Sequence, residues 1–321
     1  MSAAPQAPGA QLAPLPMRAG HLTMAEVIDL YMGRYEGRDV SRVHRMAWWR
    51  RQVGDVTLQD LGEDRVHHAL EQLADTKSRY YAGKDADGRS IFKPRDRKVA
   101  PATVNRHAAA LAAVLTWAQK RRLAPVGFQN PCRTVERRRE NNEKTRFLST
   151  DERERLLKAC RAARWPRLYV LVLMALTTGA RKGELLGLRW ADVDLVAGVA
   201  AVATTKNGDP RMLPLVPAVV VELAKFKAGG RSLVFSSPRD PQKAFSFELQ
   251  FTAALKAASV RGVTFHILRH SCASMLAANG CSLLEIADVL GHRQLQVTKR
   301  YAHLATSHKA ALVNRVLGAI A

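Results

Sequence analysis

The sequence predicts a mainly α protein with a small β-sheet, divided into two domains. Three observations carry this. The 321 residues suggest about two domains. Apolar residues recur at helical spacing along most of the chain. One pair of β-prone runs, 199–204 and 212–216, is joined by the Asn207-Gly208 turn and reads as a hairpin. With 47% hydrophobic residues the chain can fill ordinary cores.

Residues 1–20, rich in Ala, Pro and Gly, read as a disordered leader without the apolar stretch of a signal peptide. Thr23 and Glu26 have the spacing of a capping box, and the helix they start carries Met24, Val27, Ile28, Leu30 and Tyr31. Helices follow near 42–53 and over 63–75. Residues 76–100, polar and basic with an Asp87-Gly88 turn signal, form a long loop or a small hairpin. An amphipathic helix then runs from Ala102 to Arg122, with Val104, Leu111, Val114 and Leu115 along one side. The first domain is expected over 21–128. Residues 129–146, with Pro131 and charges throughout, read as a basic linker.

The second domain, 147–306, restarts at Leu148-Ser149-Thr150-Asp151-Glu152. A buried helix at 167–178 is broken by Gly179, and a short helix follows at 184–190. After the hairpin, helices are expected at 217–228, 246–259, 266–279, 282–290 and 296–303. A terminal apolar helix within 307–321 would dock in cis or on a neighbouring subunit.

Charge bounds the partner. The formal net charge is +22, and self-repulsion on that scale points to a polyanion, nucleic acid first. The four cysteines contain no C-x-x-C pair and read as inert thiols of a reducing compartment. The apolar run 169–176 is too short for a membrane span. The expected location is cytoplasmic, on the nucleoid, with no membrane contact.

The chemistry concentrates between Thr264 and Leu304. His266, Arg269 and His270 fall at i, i+3 and i+4 of one helix, so they share a face. Tyr301 follows Lys299-Arg300 in a basic setting. Planar guanidiniums clamp phosphate oxygens bidentately, which an ammonium does less well. A zinc reading of His266 and His270 is set aside, because Ile267 replaces the Glu of HEXXH.

Three motifs together resemble those of the tyrosine recombinases, or phage integrases, over roughly residues 146–305. They are Thr177-Thr178-Gly179-Ala180-Arg181-Lys182-Gly183-Glu184, then His266-x-x-Arg269-His270, then Leu290-Gly291-His292 with Tyr301 nine residues on. The resemblance implies six catalytic residues: Arg181, Lys206, His266, Arg269, His292 and Tyr301. Lys182 and Lys225 are alternatives to Lys206. Glu184 would support Arg181, and His270 would hold its helix in place. Ile267 departs from the polar residue many members carry there. The implied architecture is a helical core-binding domain and a catalytic domain closing as a clamp on DNA. The implied reaction is attack by Tyr301, giving a 3′-phosphotyrosyl link and a free 5′-hydroxyl without metal, ATP or other cofactor. The implied partners are a double-stranded recombination site and a homotetramer on it, with accessory DNA-bending factors of host or phage as further candidates. Arg106, Lys120, Arg121, Arg137 and Arg138 are the expected DNA contacts in the first domain and linker. The competing classes are a non-catalytic DNA-binding protein of this fold and a type IB-like topoisomerase.

Overall fold

The computed structural model describes residues 21–305 apart from 38, 86, 141–145, 204–209 and 293, together with 314 and 317. The leader, Lys206 and nearly all of the C-terminal segment therefore lie outside the described residues. The chain divides into two compact units, Met1–Asn142 and Glu143–Ala321.

The first unit holds α1 (Met24–Met32), α2 (Arg42–Val53), α3 (Glu63–Asp75) and α4 (Pro101–Lys120). The Thr23–Glu26 capping box starts α1. Pro101 occupies the first turn of α4, where its missing N–H is no loss. Met24, Trp49, Val66, Leu111 and Leu115 are fully buried and join the four helices in one core. The indole N–H of Trp49 donates to the His107 carbonyl at 2.8 Å, so the largest core residue leaves no polar atom unpaired. Between α3 and α4 the chain forms an antiparallel hairpin, β1 (Lys77–Lys84) and β2 (Ser90–Lys98).

Residues 129–140 were expected as the start of a linker, yet they are strapped to α3 and α4. Asn130 is buried and donates to the Ala112 carbonyl at 3.1 Å. Asn105, buried on α4, donates to the Arg138 carbonyl at 2.9 Å and accepts the Arg138 N–H at 3.0 Å. An amide that pairs with both backbone groups of an extended residue replaces a strand edge. That is how so polar a stretch stays against the helices.

The second unit opens with α5 (Thr150–Arg161), started by a Ser149–Glu152 capping box. Arg146 forks onto Glu152 at 2.8 and 2.5 Å, and that guanidinium pulls the carboxyl down to about 2. Helix α6 (Leu168–Thr178) is buried on nearly all sides and forms the centre of this core. Then come α7 (Lys182–Gly187) and a three-stranded antiparallel sheet of β3 (Val193–Asp194), β4 (Val199–Val202) and β5 (Arg211–Pro214), with Ala200 opposite Leu213. Helix α8 (Pro217–Ala224), the short pair β6 (Ser236–Ser237) and β7 (Asp240–Ala244), α9 (Glu248–Ala257), α10 (Phe265–Ala278) and α11 (Leu283–Leu290) complete it.

Three expectations change. The helix placed at 184–190 begins at Lys182 and stops at Gly187, and Trp190–Asp192 is a separate 3-10 turn. The helix placed at 296–303 is two 3-10 turns, Leu295–Val297 and Lys299–Ala305, meeting at fully buried Thr298. Residues 76–100 take the hairpin alternative, and a separate short pair that was not expected, β6–β7, is added; its strand Asp-Pro-Gln-Lys-Ala carries no β-branched side chain that would signal it.

Gly179 decides how the site is framed. It ends α6 in the left-handed region at φ +60°, and a Cβ there would meet the Leu290 side chain at 2.3 Å and Cys272 Sγ at 3.3 Å. The absent side chain lets α10 and α11 close on the end of α6. Gly179→Ala is expected to lower unfolding free energy by about 2–4 kcal/mol, combining left-handed strain with overpacking; urea unfolding of the two proteins measures it.

Candidate active site

Arg181 caps the N-terminus of α7, immediately after the turn that Gly179 and Ala180 make. Glu184, one helical turn later, accepts from the Arg181 backbone N–H at 2.9 Å and from its guanidinium at 2.8 Å. The same carboxylate accepts from Arg211 at 2.7 Å. Its side chain is only 3% exposed. Burial alone would raise its pKa, but the bonds from Arg181 and Arg211 outweigh this and hold it below the ordinary range.

Arg211 was not anticipated. It begins β5, directly after the hairpin loop, and also donates to the Val289 carbonyl at 2.7 Å. It therefore ties the sheet to α7 and to the last turn of α11. The sequence held no local signal for it, since its ion-pair partner is 27 residues away. Local spacing cannot reveal such a pair.

Helix α10 delivers the next three groups. Arg269 is 3% exposed and donates to the Gly179 carbonyl at 2.7 Å, while its Nη2 is buried with no acceptor among the described residues. Burial lowers its pKa to about 10, with the cations Arg181 and Arg211 adding to the shift. The rings of His266 and His270 meet edge-on at 4.9 Å, as their spacing predicts. Partial burial, then Arg269 and Arg181, lower the pKa of His266.

His270 was expected to hold its helix in place, and its ring does more. Its Nδ1 lies 2.5 Å from the Tyr301 hydroxyl. Burial, then His266 and Arg300, take His270 down to about 4, so the ring is neutral, and the tautomer with a bare Nδ1 accepts a hydrogen bond from the phenol. Tyr301 is 6% exposed and packs with Cys272, Ala273 and Leu290. Burial raises its pKa, and the nearby Arg300 and Arg269 work against that rise.

Gly291, left-handed at φ +64°, ends α11 in a Schellman turn: its N–H reaches the Asp288 carbonyl and the His292 N–H reaches the Ala287 carbonyl at 2.8 Å. A Cβ at Gly291 would also meet the Arg211 side chain at 2.9 Å. His292 is thereby aimed, and its Nδ1 engages the buried Thr298 hydroxyl at 2.9 Å. Burial, then Arg269 and Arg181, take its pKa to about 4.

Arg181, His266, Arg269, His292 and Tyr301 thus share one electrostatic neighbourhood in the second unit. Lys206 lies outside the described residues. Lys182 pairs with Glu248 at 3.0 Å and Lys225 with Glu222 at 2.9 Å. In the first unit Arg106, Lys120, Arg121 and Arg137 are exposed, whereas Arg138 is half-buried against Glu71 at 2.5 Å. Among the described residues no group of His, Cys, Asp and Glu gathers as a metal site, and no helix is long and apolar enough to cross a membrane.

The model of the phage integrase family matches residues 146–308, the stretch that carries all of these groups. The chain belongs to the phage integrase family. Its function is site-specific DNA recombination by the tyrosine recombinase mechanism. The integrase of Escherichia phage 186 is 30% identical over 251 residues, covering 76% of this chain and 71% of that protein. The shufflon-specific DNA recombinase of Escherichia coli is 33% identical over 176 residues, covering 54% of this chain and less than half, 44%, of that relative. The solved Tn1549 transposon integrase in complex with transposon right end DNA shares the fold, with a TM-score of 0.70 at 16% identity over 92% of this chain and all of that one.

Two outcomes follow for this family member. Arg211→Met leaves Glu184 with Arg181 as its one guanidinium partner among the described residues and should cost about 2–3 kcal/mol of stability. Arg211→Lys, which keeps the charge, should recover part of this in urea unfolding. His270 and His292, both near 4 when folded against 6.5 ordinarily, bind protons more weakly in the folded chain. Stability is therefore full above pH 6.5 and falls as pH drops from there toward 4, because the unfolded chain holds more protons in that window. Thermal melts across pH check this, and replacing both histidines with Gln should flatten the profile.

Proposed function

We propose that Tyr301 is the nucleophile and that Arg181, Arg269, His266 and His292 hold the phosphodiester it attacks. The observation that carries this is the 2.5 Å bond from the Tyr301 hydroxyl to His270, one residue along α10 from an arginine with an unpaired buried Nη2. A phosphate oxygen would meet that Nη2, and the exposed side of Arg181 would supply the second guanidinium. Such donors are each worth about 3–4 kcal/mol of transition-state stabilisation.

The proton balance can be followed from the side chains. The phenol donates to neutral His270 before attack. An arriving phosphate anion favours the charged form of the neighbouring histidines and raises their pKa values. Substrate binding thus makes His270 a better acceptor at the moment Tyr301 must lose its proton. Where Thr298 donates to Nδ1 of His292, the ring proton sits on Nε2, which then faces the phosphate as a donor. Attack by the phenolate oxygen on phosphorus forms the 3′-phosphotyrosyl bond and breaks the bond to the 5′-oxygen. That oxygen takes a proton, for which Lys206 is the family's source. The 5′-hydroxyl of a partner duplex reverses the step, so bond number is conserved and neither ATP nor metal enters the scheme. Exchange between two duplexes requires four cleavages and hence a homotetramer on DNA. Arg106, Lys120, Arg121 and Arg137 contribute phosphate or base contacts from the first unit.

Incubation with a nicked duplex carrying the protein's own recombination site tests this. The wild type should give an adduct that survives denaturation, and Tyr301→Phe should give none. No adduct from the wild type at any salt concentration would overturn the assignment. Joining of two separate duplexes distinguishes a recombinase from a topoisomerase, which would relax supercoils without exchanging partners.

A further inference from the structure

The β1–β2 hairpin has no role in the chemistry above and buries little against its own unit. Every residue of β2 is exposed. A two-stranded ribbon wet on both faces is at best marginally stable in water, so its composition is free to serve something outside the fold. That composition is one-sided. Residues 77–98 carry eight Lys and Arg against three Asp. Lys77 pairs with Asp96 at 3.5 Å, Lys98 with Asp75 at 2.6 Å and Arg89 with Asp87 at 3.8 Å, which engages every acid in the hairpin except Asp85. Asp85 accepts the Arg89 backbone N–H at 2.8 Å and closes the turn. Arg79, Lys93, Arg95 and Arg97 form no ion pair among the described residues.

These four cations are interleaved with aromatic rings that also face solvent. Tyr81 and Phe92, opposite each other in the register, are each 55% exposed and meet edge-on at 6.0 Å. Arg95 lies over the Tyr80 ring at 5.4 Å. At the base of the ribbon Arg79, Arg95 and Arg97 line a cleft of about 350 Å³ shared with Ser78 and Thr103. Hydroxyls beside several guanidiniums are the donor set of a phosphate contact. A ribbon whose strands lie about 5 Å apart fits the major groove, about 12 Å wide, and its eight or nine residues per strand reach about 27 Å.

We propose that the β1–β2 hairpin is a second DNA-gripping element of the first unit, with Arg79, Lys93, Arg95 and Arg97 neutralising duplex phosphates. The assignment rests on the reading that this chain acts on duplex DNA. It adds a site on a different element from α4 with its C-cap Arg121 and from the stretch 129–140, where the contacts of this unit were expected.

Equilibrium binding in the Tyr301→Phe background, followed by fluorescence anisotropy over a range of salt, tests it. Removing one cation that neutralises a phosphate lowers the slope of log affinity against log salt by about 0.9. Replacing Arg79, Lys93, Arg95 and Arg97 together with Gln should make that slope shallower by about three to four. The weakening should be similar on the recombination site and on an unrelated duplex. The double variant Lys93→Gln/Arg97→Gln should show about half that change, and serves if thermal melting finds the quadruple variant unfolded. Unchanged affinity and slope in a folded variant, with a parent that binds DNA, would overturn the hairpin assignment alone. A parent that binds no duplex would overturn the functional reading and this inference with it.

Discussion

Everything in the catalytic unit is referenced to one buried carboxylate. Glu184 takes a guanidinium from its own helix and another from β5, and the second of these also holds the end of α11. Three elements far apart in sequence are thereby fixed to a common point. A lone buried carboxylate would protonate or unfold the site, and a lone pair would fix only one partner. Two arginines on one acid leave a net positive charge, which an anionic substrate needs.

The remaining positive charge is left uncompensated by the packing. Arg269 is buried beside Arg181 and Arg211, with Glu184 as the carboxylate that favours its charged form. Cations so arranged repel one another in the DNA-free chain, and the backbone carbonyl of Gly179 is one of the few groups that relieve Arg269. In the proposed reading, a phosphate between them removes the repulsion and supplies the missing acceptor. Binding and folding of this region are therefore linked, and DNA should protect it against unfolding as any ligand of the folded state does.

Much of the fold was legible because helical periodicity and capping signals are local. Thr23 with Glu26 and Ser149 with Glu152 mark helix starts that the structure keeps. What local reading missed has non-local causes. The stretch 129–140 is polar, but Asn105 and Asn130 turn that polarity inward through backbone pairing. The turn carrying Tyr301 has helical spacing in the sequence but folds as 3-10 around buried Thr298. At the site, the i, i+4 spacing of His266 and His270 gave their ring contact directly, whereas Arg211 and the bond between His270 and Tyr301 span 27 and 31 residues. Chemical identity was carried by family resemblance, and geometry supplied the partners.

The Val99 N–H donates to the Thr76 carbonyl at 2.9 Å, at the point where α3 ends and the approach to α4 begins. The basic ribbon leaves the helical unit and returns to it through that one closed doorway. Its length and sequence can drift without moving either helix, in the way a detachable tool changes while its handle stays the same.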